Sequence, residues 1–302
     1  MHDCVVIGGG PAGMTSALYL LRAGKSVLIL EKDSFGGQIA KSPRLENYPS
    51  IQSISGLEWS DNLFNQITEL GAEFELEDVQ GIEKDGDVFR VSTDYGTHEA
   101  KTVIIASGCS HRQLGLEREN ELVGHGISYC AVCDGDFFRE KDVLLIGDAN
   151  TALQYAIMLA EKCSHVTIAT LFDRFFADQI LIDRIKAIPN LDYYHNLESQ
   201  EFLGDPELVG VRFKDTKTGE MKVINCDGCF IAIGQIPHNE PFANLVDLDH
   251  GFILTDDRMQ TKTPGLFAAG DCRVTEMRQV VTATSNGALA AIEAAKYLNT
   301  KF

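Results

Sequence analysis

Positive charge is scarce in this sequence. Its 302 residues contain 26 Lys and Arg against 44 Asp and Glu, which gives a net charge of −18. Such a surface repels backbone phosphates and anionic lipids, so neither a nucleic acid nor a membrane surface is expected as a partner. No apolar run reaches the roughly 18 residues of a membrane span. No basic region precedes the first apolar stretch, so no signal peptide is expected.

Cysteine is also sparse. Eight cysteines are far too few for a small disulfide scaffold. The apolar share of 44% and the charged share of 23% lie near the globular averages, which excludes wholesale disorder. At about 100–200 residues per domain, the length predicts two domains. The sequence therefore predicts a cytoplasmic globular protein with two domains.

A pattern of strand, turn, helix and second strand occurs twice. Its strands and turns occupy residues 4–7, 8–13 and 27–31, and then residues 143–146, 147–152 and 166–170. Each copy is typical of a β-α-β unit with parallel strands. Further buried strands, at 102–108 and 228–234, are predicted at similar places after the two copies. The predicted fold class is α/β, with two Rossmann-like domains.

The turn of the first copy has the glycine spacing of a dinucleotide site. Gly8 permits the tight turn, Gly10 lets the backbone approach a pyrophosphate, and Gly13 lets the helix lie close to the strand. Amide groups at the start of the helix then face the phosphates. Glu31 ends the second strand, where a carboxylate accepts hydrogen bonds from ribose hydroxyls. Together these features predict a bound dinucleotide.

A pair of cysteines in C-x-x-C spacing, Cys130 and Cys133, is followed directly by Asp134. This spacing brings two sulfurs near enough for a small-ring disulfide and often lowers the pKa of one thiol. Asp134 is suited to exchange the proton that thiol–disulfide exchange requires. Half of a zinc site is the alternative, but zinc usually takes four ligands and no second pair lies nearby. No metal is expected.

The C-terminal region supplies a family resemblance. Residues 263–271 read Thr-Pro-Gly-Leu-Phe-Ala-Ala-Gly-Asp, similar to a motif of FAD-dependent disulfide oxidoreductases. Together with the glycine turn, the Cys-Ala-Val-Cys-Asp-Gly stretch at 130–135 and Arg-Gln-Val at 278–280, nearly the whole chain resembles the low-molecular-weight thioredoxin reductase family. The resemblance implies FAD as the cofactor.

The same resemblance implies a domain arrangement and residue roles. The second domain, 115–242, is expected to be inserted into an FAD domain formed by 1–114 and 243–302. Cys133 would face the flavin, Cys130 would attack the disulfide of thioredoxin or a thioredoxin-like protein, and Asp134 would be the general acid. The cofactor-binding residues would be Gly8, Gly10, Pro11, Ala12, Gly13, Glu31, Gly37, Gln38, Asn47, Val79, Ala106, Gly270, Asp271, Arg278, Gln279 and Val280.

The resemblance further implies a homodimer and a rotating inserted domain. Rotation would let the cysteine pair alternate between flavin and partner, with hinges predicted near 114–117 and 239–242.

Outside the redox pair, Cys226 and Cys229 also have C-x-x-C spacing but bracket the start of a buried strand. They are expected to be core or edge-strand thiols. The cysteines Cys4, Cys109, Cys163 and Cys272 are expected to be buried.

The second β-α-β copy departs from the family where nicotinamide cofactors bind. Its turn has Ala149 where the family has the middle glycine, and Asp148 adds a carboxylate beside the expected pyrophosphate. Two like charges ~4 Å apart cost about 1 kcal/mol in water and more where water is excluded. The basic residues that hold the 2′-phosphate are replaced by Thr170, Leu171, Phe172 and Phe176, and Arg174 is out of place.

These losses resemble the ferredoxin-dependent flavin thioredoxin reductase branch of the family. They imply ferredoxin as the electron donor. The alternative donors are NADH or NADPH bound in an atypical site, another flavin, or an unknown donor. The alternative from a different functional class is a flavin-binding redox sensor without turnover. An acidic ferredoxin would need a local basic surface, for which Arg273, Arg278, Lys296 and Lys301 are candidates. A C-terminal aromatic, Phe302, is a candidate to cover the flavin by stacking.

Overall fold

The computed structural model describes residues 1–42 and 45–302 and divides the chain into two compact units. Met1–Ser110 and Ile236–Phe302 form the first unit, and His111–Gln235 forms the second. The predicted domain boundaries, 114/115 and 242/243, lie a few residues further along the chain. Because the second unit interrupts the first, the predicted α/β class with an inserted second domain is confirmed.

Nineteen strands and seven α-helices follow one another in the described residues. The strands are β1 (His2–Ile7), β2 (Val27–Glu31), β3 (Glu73–Leu76), β4 (Val79–Asp85), β5 (Val88–Thr93), β6 (Thr97–Ile105), β7 (Cys109–His111), β8 (Ile127–Ser128), β9 (Asp142–Ile146), β10 (His165–Ala169), β11 (Leu191–Tyr194), β12 (Leu197–Leu203), β13 (Gly210–Asp215), β14 (Met221–Asn225), β15 (Gly228–Ile231), β16 (Gln235–Pro237), β17 (Leu248–Asp249), β18 (Phe252–Ile253) and β19 (Leu266–Ala268). The α-helices are α1 (Pro11–Arg22), α2 (Gly56–Glu69), α3 (Glu119–Leu122), α4 (Ala131–Asp134), α5 (Asn150–Ala160), α6 (Gln179–Lys186) and α7 (Val280–Lys301). Short 3-10 helices span Gly37–Lys41, Gly135–Phe138, Glu240–Phe242 and Gly270–Cys272.

The first unit is built on a seven-stranded sheet. Its order is β3-β2-β1-β6-β5-β4, and β19 also pairs with β6. Strands β1, β2, β3, β6 and β19 pair in parallel, whereas β4 and β5 pair antiparallel. On β1, Cys4 and Val6 belong to one core cluster, and Val5 and Ile7 to another. Burial on both faces explains why the strand is a continuous apolar run.

Helices α1 and α7 pack tightly on one face of this sheet. A Cβ atom at Gly287 of α7 would lie 2.2 Å from the Ala12 carbonyl oxygen, so this contact requires glycine. The buried Ser16 hydroxyl donates to the Ala12 carbonyl oxygen at 2.8 Å. This packing fixes the first turn of α1, which follows the glycine turn.

The second unit repeats the plan on a smaller scale. Its parallel sheet has the order β11-β10-β9-β15-β8, and an antiparallel sheet β12-β13-β14 accompanies it. On β9, Val143 and Leu145 pack into one cluster and Leu144 and Ile146 into the other. The parallel strand pairs predicted for both β-α-β copies are therefore confirmed.

The last strands of both copies are shorter at their carboxyl ends than predicted. The strand predicted at 102–108 ends at Ile105, and the strand predicted at 228–234 ends at Ile231. Gly108 and Gly234 have φ angles of 66° and 109°. These left-handed conformations do not belong to a strand, so the chain turns away there.

The segments predicted as hinges lie inside the units and are held by side chains. Glu119 accepts hydrogen bonds from the backbone amides of Leu114 and Gly115 at 3.0 and 2.8 Å. The buried Asn239 donates to the carbonyl oxygens of Gly251 and Cys272 at 2.9 and 2.8 Å. A rotation about these segments stays a prediction.

Among the helices of residues 1–42 and 45–302, none combines the length and the hydropathy that a membrane span requires.

Candidate functional site

The glycine turn between β1 and α1 is shaped by close backbone contacts. Gly8 has a φ angle of 106°, and a Cβ atom there would lie 2.3 Å from the Ala106 carbonyl oxygen. A Cβ atom at Gly13 would lie 1.9 Å from the Gly8 carbonyl oxygen. A Cβ atom at Gly10, in contrast, would meet no protein atom within 4 Å. Gly8 and Gly13 are thus required by the fold, whereas Gly10 leaves space for a ligand.

The acid that ends β2 lies beside this turn. Glu31 is 9% exposed, and one of its carboxylate oxygens accepts a hydrogen bond from the Gly9 amide at 2.6 Å. Its other oxygen accepts one from the Asp33 amide at 2.9 Å. The sequence predicted this carboxylate for ribose recognition; the structure adds that it also orders the turn.

Two further predicted residues close around the turn. A Cβ atom at Gly37 would lie 3.3 Å from the Gly10 Cα atom, and one at Gly270 would lie 2.8 Å from the Ala12 Cβ atom. Pro11 is the first residue of α1, where its missing amide hydrogen leaves no unsatisfied donor. Residues from both ends of the first unit therefore meet at the start of α1.

A polar cluster lies further along the same unit. Asn47 donates to the Gln279 side-chain oxygen at 3.0 Å, and Gln38 donates to the Cys109 carbonyl oxygen. Burial raises the pKa of Asp271 to about 6, although the Arg278 guanidinium lowers it. The Nε atom of Arg278 is buried and makes no hydrogen bond within the described part of the chain.

The remaining predicted cofactor residues are mostly backbone or apolar elements. Ala106 is buried and donates its amide to the Ile7 carbonyl oxygen at 2.7 Å. Val79 begins β4 and lies in the core cluster that contains Ile7. Val280 begins α7, directly after Gln279 at its N-cap. These residues would line the predicted cofactor site without contributing charged groups.

The residues of the first unit fit a flavin dinucleotide. The open space over Gly10 and the free amides at the start of α1 suit a pyrophosphate. The unsatisfied Arg278 Nε atom and the raised pKa of Asp271 indicate polar groups that await a hydrogen-bonding ligand. Glu31, Asp271 and Arg278 would hold the hydroxyl-bearing and polar parts of FAD.

The redox pair lies in the second unit, at the end of β8 and in the short helix α4. Cys130 and Cys133 form a disulfide bond with a Cα–Cα distance of 5.3 Å. Cys130 is the N-cap of α4, and its sulfur accepts a hydrogen bond from the Cys133 amide at 3.2 Å. An amide donor aimed at this sulfur favours its thiolate form after reduction.

The predicted general acid lies against this pair. Ser128, 4% exposed, donates to the Asp134 Oδ2 atom at 2.6 Å and accepts from the Cys130 amide at 3.0 Å. Burial raises the pKa of Asp134, and the Ser128 hydrogen bond lowers it. The other carboxyl oxygen, Oδ1, is buried and makes no hydrogen bond within residues 1–42 and 45–302. A carboxyl group with a raised pKa is suited to hold a proton for transfer.

Carboxylates surround the turn of the second β-α-β copy. Asp148 precedes Ala149, the N-cap of α5, and burial raises the pKa of Asp148. Asn150, the first residue of α5, donates to an Asp178 carboxylate oxygen at 3.0 Å and accepts from the Asp178 amide at 2.8 Å. The start of α5 therefore carries Asp178 in addition to the Asp148 expected from sequence.

The segment after β10 is apolar and aromatic. Leu171, Phe172 and Phe176 are 48%, 48% and 50% exposed, and the two rings meet edge to face at 5.2 Å. The Arg174 guanidinium lies over the Phe176 ring at 5.0 Å. Thr170 is 1% exposed. Apart from Arg174, which lies over a ring, none of these positions carries a cation that could bind a 2′-phosphate.

The cations proposed as a basic docking surface are already engaged. Arg273 donates to Thr255 and Asn286 at 2.9 and 3.2 Å, and Arg278 lies over the Phe252 ring at 4.4 Å. Lys296 pairs with Glu293 at 2.6 Å and Lys301 with Asp87 at 3.4 Å. These contacts weaken the case for an accessible basic patch.

Within one chain, Phe302 lies far from the residues predicted to contact the flavin. Its ring lies near the Lys101 ammonium, 5.4 Å from the ring centre. Phe302 follows the 22-residue helix α7, whose opposite end carries Gln279 and Val280. At 1.5 Å per residue this helix separates Phe302 from those residues by roughly 33 Å.

The remaining cysteines behave as expected from the sequence. All six are buried and lie outside the disulfide bond: Cys4, Cys109, Cys163, Cys226, Cys229 and Cys272. In the described ranges, no three His, Cys, Asp or Glu side chains gather where they would hold a metal ion.

Sequence reasoning missed a buried carboxylate next to the redox pair. Glu119 is 2% exposed, and the Tyr129 hydroxyl donates to it at 2.8 Å. Burial and this hydrogen bond raise the pKa of Tyr129 well above its usual value. His111 stacks on the Tyr129 ring at 5.0 Å. Glu119 lies 11 positions before Cys130 in no known spacing, so local sequence offers no signal for this contact.

A C-x-x-C disulfide in one Rossmann-like unit and a glycine turn in the other are typical of disulfide oxidoreductases built on nucleotide-binding folds. The profile of the family described as "Pyridine nucleotide-disulphide oxidoreductase" matches residues 2–287. The thioredoxin reductases of Listeria monocytogenes and Bacillus subtilis are each 40% identical over 301 residues. The alignments cover 99% of this chain and 94% and 95% of those proteins.

A solved structure agrees. The crystal structure of thioredoxin reductase from Streptococcus pyogenes has a TM-score of 0.96 at 38% identity, with 99% of both chains covered. The chain belongs to the low-molecular-weight thioredoxin reductase family, whose members are FAD-binding flavoproteins. The names of these relatives do not mention an electron donor, so the ferredoxin-dependent branch remains a prediction.

Proposed function

We propose that this flavoenzyme reduces the disulfide of thioredoxin or a thioredoxin-like protein with electrons from ferredoxin, and that it works as a cytoplasmic homodimer. The disulfide chemistry is supported by the family and by the arrangement of Cys130, Cys133 and Asp134. The choice of donor depends on one observation, the chemistry of the nucleotide edge of the second unit.

That edge is unsuited to a nicotinamide dinucleotide. A pyrophosphate at the start of α5 would meet the Asp148 and Asp178 side chains, and Ala149 adds a methyl group where the family has glycine. Like charges ~4 Å apart cost about 1 kcal/mol in water and several times more at an effective dielectric constant of 20. Past β10, Leu171 and Phe172 replace the cations that would bind a 2′-phosphate.

The dithiol half of the reaction follows from the geometry around the pair. After reduction, the Cys130 thiolate attacks one sulfur of the partner disulfide; a mixed disulfide forms and the other partner sulfur leaves. Asp134 gives its proton to that leaving sulfur. The Cys133 thiolate then attacks the Cys130 sulfur, which restores the Cys130–Cys133 bond and releases the second partner sulfur as a thiolate that takes its proton from water. One disulfide is reduced and one dithiol is oxidised.

When bound, FAD accepts electrons singly and passes them on in pairs, which connects a one-electron donor to a two-electron disulfide. In this chain the glycine turn, Glu31, Asp271 and Arg278 would bind and orient that group. A one-electron protein donor needs no dinucleotide site. Losing the nicotinamide edge is therefore compatible with an intact FAD unit.

An anaerobic reduction experiment tests the donor. The oxidised holoenzyme is mixed separately with NADPH, NADH and reduced ferredoxin, and flavin absorbance is followed in a stopped-flow instrument. Ferredoxin is expected to bleach the flavin at least a hundredfold faster than either nicotinamide at the same concentration. A second series adds oxidised thioredoxin and counts the thiols produced per electron pair. Rapid bleaching by NADH or NADPH would overturn the donor assignment while leaving the disulfide chemistry in place.

A further inference from the structure

The Ser128 hydroxyl connects the two chemical parts of the redox site. Ser128 ends β8, whose pairing with β15 fixes its backbone in register with Phe230. Its oxygen lies 2.6 Å from the Asp134 Oδ2 atom and 3.0 Å from the Cys130 backbone nitrogen. At 4% exposure, the side chain has little access to water.

The direction of these hydrogen bonds follows from counting protons. A hydroxyl has one proton to donate and lone pairs that accept. The Cys130 amide can only donate, so it occupies a lone pair of the Ser128 oxygen. The Cys130 carbonyl oxygen, at 3.4 Å, and Asp134 Oδ2, at 2.6 Å, compete for the single Ser128 proton. The shorter contact, to Oδ2, takes it.

We propose that Ser128 is a positioning residue that orients the Asp134 carboxyl group so that its transferable proton resides on Oδ1. This inference rests on the proposed function, in which Asp134 is the general acid. An Oδ2 atom that accepts from Ser128 does not carry the acidic proton itself. Oδ1 is the remaining site, and it is the buried oxygen without a hydrogen-bond partner in the described chain.

The surrounding titratable groups do not compete with Asp134 for this proton. Tyr155 is the titratable side chain of α5, which packs against α4, and Cys229 is that of β15, which pairs with β8. Burial raises the pKa of both, so both are neutral near pH 7. Asp136 is engaged by Lys162 and Arg139. Cys130 and Cys133 titrate only after reduction.

Removal of the hydroxyl has two expected effects. The Ser128 hydrogen bond lowers the pKa of Asp134, so Ser128→Ala should move the alkaline limb of the pH profile to higher pH. A carboxyl group free to rotate is also aimed less well, so the rate below that limb should fall about tenfold. Asp134→Asn removes the acid itself and should cost about a hundredfold.

A double-mutant cycle tests the proposal. Holoenzymes reduced with dithionite are mixed with oxidised thioredoxin between pH 5 and pH 9, and the rate of thioredoxin thiol formation is measured in single turnovers. Ser128→Ala, Asp134→Asn and the double variant are compared, with Ser199→Ala on β12 as a control that should match the wild type. If Ser128 acts through Asp134, the double variant is as slow as Asp134→Asn alone.

The outcomes separate the two hypotheses. A double variant about tenfold slower than Asp134→Asn would show that Ser128 acts independently, which overturns the positioning role. An unshifted alkaline limb in Ser128→Ala would overturn it as well. Wild-type rates in Asp134→Asn would instead overturn the general-acid role in the proposed function, and the inference with it.

Discussion

Within the redox pair, the local environments of the two cysteines differ. Cys130 is half-buried and its sulfur accepts the Cys133 amide hydrogen bond, whereas Cys133 is exposed within its unit. The hydrogen bond favours Cys130 as the attacking thiolate. Exposure alone would favour Cys133. Because these two criteria point to different sulfurs, trapping a mixed disulfide tests the assignment of Cys130 as the attacking thiolate.

Replacement of Cys133 is expected to trap the partner. Once reduced, Cys133→Ser should form a mixed disulfide with oxidised thioredoxin through Cys130, because the sulfur that would release the partner is missing. Intact mass under non-reducing conditions detects the adduct, and Cys130→Ser should form none. An adduct formed by Cys130→Ser instead would exchange the two roles.

A second residue-scale prediction concerns Asp271. Burial raises its pKa to about 6, from 3.8 in an unperturbed carboxyl group. A raised folded-state pKa contributes stability that is present below pH ~4 and is lost as the pH rises through 6. The shift corresponds to roughly 3 kcal/mol at most.

Urea unfolding of the FAD-free protein at pH 4.5, 6 and 7.5 measures this contribution. Relative to Asp271→Asn, the wild type should lose stability across that range. The same substitution at the exposed Asp61 of α2 should leave the pH dependence unchanged. A parallel pH dependence for wild type and Asp271→Asn would contradict the assignment.

At the scale of elements, the β1–α1 turn separates folding from ligand binding. Gly8→Ala places a Cβ atom 2.3 Å from a carbonyl oxygen at a φ angle of 106°. It should lower the unfolding free energy by about 1–3 kcal/mol or more, with or without FAD. Gly10→Ala meets no protein atom within 4 Å and has an extended backbone, so the FAD-free protein should lose only a few tenths of a kcal/mol.

Gly10→Ala, which should barely change stability, should strongly weaken FAD binding. Its methyl group would occupy the space left for the pyrophosphate, so FAD affinity should fall at least tenfold. Fluorescence titration of the two refolded, FAD-free variants measures this. Normal FAD affinity in Gly10→Ala would mean that the dinucleotide does not approach the turn there.

The elements that sequence predicts well are those set by local rules. Gly8, Gly13 and Glu31 are identifiable because turn, close packing and strand end each require one residue type at a fixed spacing. The contacts of Ser128 and Glu119 depend on the tertiary packing of β8, α3 and α4. Residue spacing in the sequence does not predict that packing. The hinge prediction at 114–117 failed to anticipate the Glu119 contacts for the same reason.

Over the whole molecule, charge sets the conditions for a protein donor. The net charge of −18 repels an acidic ferredoxin at long range. The cations named as a docking surface are held by Thr255, Asn286, Glu293 and Asp87, or lie over Phe252. Because Lys296 and Lys301 are paired with carboxylates, these four residues compensate only part of the negative charge, and association should be slowed by repulsion.

Salt should consequently accelerate electron delivery. Screening lengths fall from about 30 Å at 0.01 M to about 8 Å at 0.15 M ionic strength, so repulsion between two acidic proteins weakens as salt is added. The second-order rate of flavin reduction by ferredoxin, measured by stopped flow, should rise several-fold between 0.01 and 0.2 M NaCl. Reduction by the methyl viologen radical cation, which an acidic protein attracts, should slow over the same range. A ferredoxin rate that falls steeply with salt would instead require a complementary basic surface formed by residues other than these four.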